Sequence, residues 1–131
     1  MTYDEIKKLR FTKTHEWVRL GEENRAFVGI SEHAQSVLGD IVFLSLPEMG
    51  SSVSKGEDCA VIESVKSASD VYTPISGKIT AINSQLLSDP QSVNRNAYDS
   101  WIFEIELSDK SEMDELLSID EYEKFIESTE H

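Results

Sequence analysis

Lys66 stands in Glu63-Ser64-Val65-Lys66-Ser67-Ala68-Ser69-Asp70, a polar bend between the apolar, β-prone runs Cys59-Ala60-Val61-Ile62 and Val71-Tyr72. A primary amine at such a bend is presented outward, and the small serines and alanine on its C-terminal side leave room for another protein's pocket to close around it. The chemistry this permits is acylation of the amine, which removes one positive charge and adds a flexible arm. A lone turn lysine is by itself ordinary, because lysines are mostly exposed and turns mostly polar. His15 and His33 are far apart in sequence with no third ligand in a recognisable pattern, so surface or capping histidines are expected rather than a metal site. No nucleophile motif, phosphate loop or metal cluster supports a free-standing enzyme built on His15 and Glu16.

The elements around the lysine read as short β-strands: Glu16 to Leu20, Ala26 to Ile30, Asp40 to Leu46, Asp58 to Glu63, Asp70 to Tyr72, Gly77 to Ile82 and Trp101 to Leu107. Alternation and β-branched residues support them, with turn formers between. Seven short strands predict a mainly β fold, a sandwich or flattened barrel. Ser31 is placed to cap a short helix over about 31–38 that Gly39 stops. Ser111 with Asp114 marks another helix start. Ser118 and Glu121 have capping-box spacing ahead of a C-terminal helix whose Ile119, Tyr122 and Ile126 share one face, with fraying expected after about residue 127. Pro47-x-x-Gly50 recurs as Pro74-x-x-Gly77, a weak internal repeat that brackets Lys66 and suits two pseudo-two-fold halves. Trp17 and Trp101 are expected in the core, as is Cys59 as a small hydrophobe.

The chain has 131 residues, one ordinary domain's worth, expected to span 1–131 as a single unit. Twelve Lys and Arg against 25 Asp and Glu give a formal charge of −13, which would repel nucleic acid and anionic membranes. A single cysteine excludes an intramolecular disulfide and a cysteine metal cluster. The opening Met1-Thr2-Tyr3-Asp4-Glu5-Ile6 lacks the basic and apolar regions of a signal peptide. No stretch approaches transmembrane length. The expectation is a cytoplasmic monomer.

Across almost its whole length the chain resembles the lipoyl-carrying H proteins of the glycine cleavage system. The residues that carry the resemblance are Thr14-His15-Glu16-Trp17-Val18, Gly29-Ile30-Ser31-Glu32-His33-Ala34-Gln35, Leu38-Gly39-Asp40-Ile41-Val42-Phe43, Leu46-Pro47, the lysine turn, Pro74-Ile75-Ser76-Gly77, Val93-Asn94, Trp101 and Glu121-Tyr122. Their order and spacing weigh more than any one piece. The resemblance implies a lipoyl-domain-like fold and lipoate joined to Lys66 by a lipoate-attaching enzyme. It implies a non-catalytic carrier that takes the aminomethyl group of glycine from a pyridoxal-phosphate glycine decarboxylase to a tetrahydrofolate-dependent aminomethyltransferase, and is reoxidised by dihydrolipoamide dehydrogenase. It also implies a cleft for the loaded arm at Thr14, Glu16 and Asp70. Family members often carry Ser at the position of Thr14, and Glu16 and Asp70 read equally as solvated strand-end carboxylates. Competing readings are an H-like lipoyl relay or storage protein, a lipoyl domain of a 2-oxo acid dehydrogenase, and an unmodified scaffold. Val65 and Ser67 beside the lysine argue against the dehydrogenase domains, where Asp and Ala flank it, and against biotin carriers, where Met flanks it.

Overall fold

The computed structural model describes residues 1–129. Among these residues nine strands form two sheets. Strands β1 (Arg10–Phe11), β2 (Glu16–Leu20) and β3 (Arg25–Ile30) run antiparallel in succession, and β3 pairs with β9 (Phe103–Leu107). Strand β9 continues to β8 (Gly77–Ile82) and that to β5 (Ser52–Val53), giving six strands in the order β1-β2-β3-β9-β8-β5. The second sheet has three strands, β4 (Ile41–Ser45), β6 (Asp58–Ser64) and β7 (Ala68–Tyr72), in the order β4-β6-β7. The two sheets stay separate, so the expected sandwich is present and the barrel is not closed.

Between the sheets lies the main core, built from alternate residues such as Val18, Val28, Leu44, Ile62, Val71, Ile79, Phe103 and Ile105. Alternation sends Trp17 to the opposite face of β2 from Val18. There it joins Leu9, Phe11 and Tyr122 in a second core. Helix α5 (Ile119–Thr129) covers this face, which is why Glu16, Trp17 and Val18 are buried in succession where one-sided alternation would leave one exposed. Ser118 and Glu121 form the expected capping box: the Ser118 N–H donates to Glu121 Oε1 at 2.9 Å and the Glu121 N–H to Ser118 Oγ at 3.2 Å. Fraying is expected after about residue 127, yet the helix runs on through Thr129; the rest of that expectation, at 130 and 131, lies outside the described residues.

Shorter helices occupy the connections: α1 (Tyr3–Ile6), α2 (Glu32–Leu38), α3 (Gln85–Ser88) and α4 (Ser92–Arg95). Ser31 caps α2 as its residue type predicts, its hydroxyl accepting from the Ala34 N–H at 3.1 Å. The expected start at Ser111 is corrected. Asp109 is the cap, accepting from the Ser111 N–H at 3.0 Å, and the segment Lys110–Glu115 winds as a 3₁₀ turn. The two Pro-x-x-Gly turns are not equivalent: Gly50 is in a turn at φ 84°, while Gly77 is already in strand, opposite Leu107. Trp17 is fully buried as expected, whereas Trp101 is half-buried with its ring edge-on to Phe27.

Candidate functional site

Lys66 occupies the tip of the β6–β7 hairpin. Within the turn the Ser64 N–H donates to Ser67 O at 2.8 Å, and the Ser64 hydroxyl accepts from the N–H groups of Lys66 and Ser67 at 3.2 Å each. A serine able to bond its own turn's backbone is the local reason the chain folds tightly here. The turn is also tied to the neighbouring loop, since the Val65 N–H donates to Asp40 O at 3.0 Å. Lys66 itself is exposed. Its side chain passes over Gly39, where a Cβ would lie 3.4 Å from Lys66 Cε. Gly39 has φ 79° and ψ −157°, a region open to almost no other residue. This glycine therefore both ends α2 and leaves the lysine stem clear. Val65 in the turn is 66% exposed, and Val37 on α2 and Val42 and Phe43 on β4 are exposed as well.

Glu16 is not a solvated strand-end carboxylate, because it is only 1% exposed. Its Oε1 accepts from the hydroxyls of Thr12 at 2.6 Å and Thr14 at 2.5 Å, and its Oε2 from the Tyr72 N–H at 3.3 Å. The last bond links β2 of the large sheet to β7, the strand that descends from Lys66. Burial raises the Glu16 pKa above its ordinary value, against the lowering effect of the Thr12 and Thr14 hydroxyls and the Tyr72 N–H. Asp70 is exposed on β7 opposite Val61. Successive strand side chains face opposite ways, so Ser69 turns toward the Thr14 side and Asp70 turns away.

Beside the hairpin lies a pocket of about 180 Å³ lined by Thr14, His15, His33, Ala34, Val37, Leu38 and Ser69. Thr14 thus reaches the pocket wall, Glu16 lies behind it and Asp70 is on the other side of the strand. The structure brings Thr14 and Glu16 together and leaves Asp70 apart from them. His15 and His33, distant in sequence, meet with ring centroids 4.9 Å apart. His15 adopts φ 76°, which closes the turn between Thr12 and Glu16. Its Nδ1 lies 2.7 Å from the Tyr122 hydroxyl, which is in turn 2.6 Å from Ser31 Oγ. Burial, ahead of any other influence, pushes the Tyr122 phenol up to about 12, so it stays a neutral hydrogen-bonding group. Sequence reasoning missed this wall because it comes from three separated segments joined by α5. The Glu121-Tyr122 pair was its one visible signal.

Residues 9–129 match the family described as glycine cleavage H-protein. The chain belongs to that family. A glycine cleavage system H protein of Shewanella denitrificans is 53% identical over 120 residues, covering 91% of this chain and 93% of its own. One from Nitrosospira multiformis is 45% identical over 123 residues, covering 94% and 95%. The crystal structure of a glycine cleavage system H protein from Mycobacterium marinum superposes with a TM-score of 0.82 at 33% identity, over 90% of this chain and 95% of that one. Among the described residues no helix is long and apolar enough to cross a membrane.

Proposed function

We propose that lipoate is joined in amide linkage to Lys66 Nζ, and that the chain serves the other glycine cleavage components as their lipoyl carrier. The observation that carries this reading is the exposed lysine at a tight hairpin tip, with an open, largely apolar pocket beside its stem, in a member of the H-protein family. The pocket fits the group: aliphatic walls from Ala34, Val37 and Leu38 suit a hydrocarbon chain with a dithiolane end, while the Thr14 and Ser69 hydroxyls offer a few polar contacts. The bound cofactor supplies the reversible thiol chemistry that carries the aminomethyl group of glycine between a decarboxylase and an aminomethyltransferase and is then reoxidised by dihydrolipoamide dehydrogenase.

The chain's own residues hold and present. Thr14 stands at the pocket wall, and the Glu16 carboxylate behind it adds negative potential where a cationic group on the arm would rest. Asp70, on the outer side of β7, extends that potential along the hairpin. Tethering raises the arm's effective concentration at each docked active site. A formal charge of −13 keeps copies apart, in keeping with a monomer. Cys59, whose thiol is pushed up to about 12 first by burial, is inert at neutral pH and suits a cytoplasmic setting.

Intact mass after expression with lipoate and a lipoate-attaching enzyme tests the reading beside Lys66→Arg. A lipoyl-sized increment on the parent chain and none on the variant is the expected result. The variant should retain its stability within about 0.5 kcal/mol, since an exposed turn lysine buries little. An increment that survives in Lys66→Arg would move the attachment elsewhere.

A further inference from the structure

At the end of β2 away from the lysine hairpin, a concavity of about 430 Å³ gathers the cations Lys8, Arg10 and Lys110 around the apolar side chains of Leu20 and Met113. Leu20 stands four residues along β2 from Glu16, roughly 13 Å of strand, so this concavity is separate from the pocket beside Lys66. In a chain with 25 acids and 12 basic residues, a meeting of three cations runs against the average charge. Among the described residues none of the three makes an ion pair within 4 Å. Arg10 spends one N–H on the neighbouring Leu9 O at 3.3 Å, which leaves the rest of its fork for a ligand. Two carboxylates compete. Asp114 lines the same concavity. Glu121 is held below its ordinary range first by the Ser118 N–H and hydroxyl, and Arg10 adds only a further, weaker pull.

We infer that this concavity is a binding site for a small organic anion, a carboxylate or phosphate monoester on an apolar body. The cations come from two segments distant in sequence: Lys8 and Arg10 lie at the entry to β1 and Lys110 in the 3₁₀ turn that follows β9. The meeting of Lys110 with the other two is therefore a product of the fold. Arg10 supplies the planar fork that recognises carboxylate and phosphate, and Lys8 and Lys110 supply point charges. Leu20, 44% exposed, and Met113 give the carbon body a surface to cover. The size of the ligand follows from the surrounding charge. A small anion within a few ångströms of the cations lies well inside the screening length of about 8 Å, whereas an extended acidic partner would also meet Asp114 at the wall and the repulsion of a chain whose formal charge is −13.

Amide chemical-shift titration of the whole chain tests this, with phenyl phosphate, benzoate, inorganic phosphate and an acidic peptide as probes. Phenyl phosphate and benzoate should each give saturable shifts at Arg10, Lys110 and Met113, and comparing them decides between phosphate and carboxylate. Inorganic phosphate, lacking a body to cover Leu20 and Met113, should bind about tenfold more weakly. Arg10→Gln and Lys110→Gln should each weaken binding about tenfold, while Lys124→Gln on α5 should not. Shifts that spread over every lysine without saturating would overturn the site, as would unchanged affinity in Arg10→Gln and Lys110→Gln. Tighter binding of the acidic peptide than of either organic anion would replace the small ligand with a protein partner.

Discussion

Glu16 shows most clearly what one side chain contributes here. Its carboxylate is buried with two hydroxyls and one peptide N–H as partners, and none of the influences on its pKa comes from a cation. Burial therefore prevails over hydrogen bonding, and the folded protein holds this proton more tightly than the unfolded chain does. The linked stability is present below the ordinary value of 4.5 and is lost as pH rises through the higher folded value. Urea unfolding of the parent chain and of Glu16→Gln from about pH 4 to pH 7 should show the parent losing ground to the non-titrating variant as pH rises. A gap that moves the other way would mean that Thr12, Thr14 and the Tyr72 N–H outweigh burial. Glu16→Ala should cost about 1–3 kcal/mol, because it strands these donors. The sequence marked Glu16 as interesting but could not show its burial, which follows from Trp17 and Val18 being claimed by two different cores.

Elements were legible wherever a local pattern is self-sufficient. Strands β2 and β8 begin and end where alternation places them, and Ser31 and the Ser118–Glu121 box cap the helices their types predict. Strands β1 and β5 were missed because two-residue strands have no period, and exist only through their pairing with β2 and β8. Strand β3 carries a contact that is visible only in three dimensions. Gly29 faces Trp17 directly across the β2–β3 ladder, and a Cβ there would sit 2.6 Å from the indole. The indole has little freedom to retreat, being fully buried with its Nε1–H donating to Ala97 O at 3.1 Å. Gly29→Ala should therefore destabilise by roughly 1–3 kcal/mol or more through overpacking. Thermal unfolding measures this, and Gly21→Ala is the comparison, its Cβ meeting nothing closer than 3.4 Å. Equal losses in both variants would mean that contact with Trp17 is not the source of the cost.

At the scale of the molecule, the chain's two ends close the site that its middle displays. Phe11 bridges to Leu117 by paired backbone bonds of 2.8 Å, and its ring stacks on Tyr122 with centroids 4.5 Å apart and planes 8° from parallel. Tyr122 then reaches past that stack to His15 and Ser31, at the pocket wall. Helix α5 is thus both the lid of the second core and a support of the pocket, a double role that its amphipathic pattern announced only in its first half. Truncation before Ile119 separates the two consequences. It should expose Phe11 and Trp17, lower the unfolding free energy by at least about 3 kcal/mol for the lost aromatic burial and raise binding of an apolar dye. The lysine turn is held by Ser64 and Asp40 and takes no bond from α5. Wherever the truncated chain remains folded, Lys66 should still be acylated, while ring resonances of His15 and His33 should shift as their wall loses the Tyr122 hydroxyl. A truncated chain with the parent's unfolding midpoint would show that the second core contributes nothing the main core lacks. Loss of acylation in a truncated chain that is still folded would tie the hairpin's presentation to the C-terminal helix.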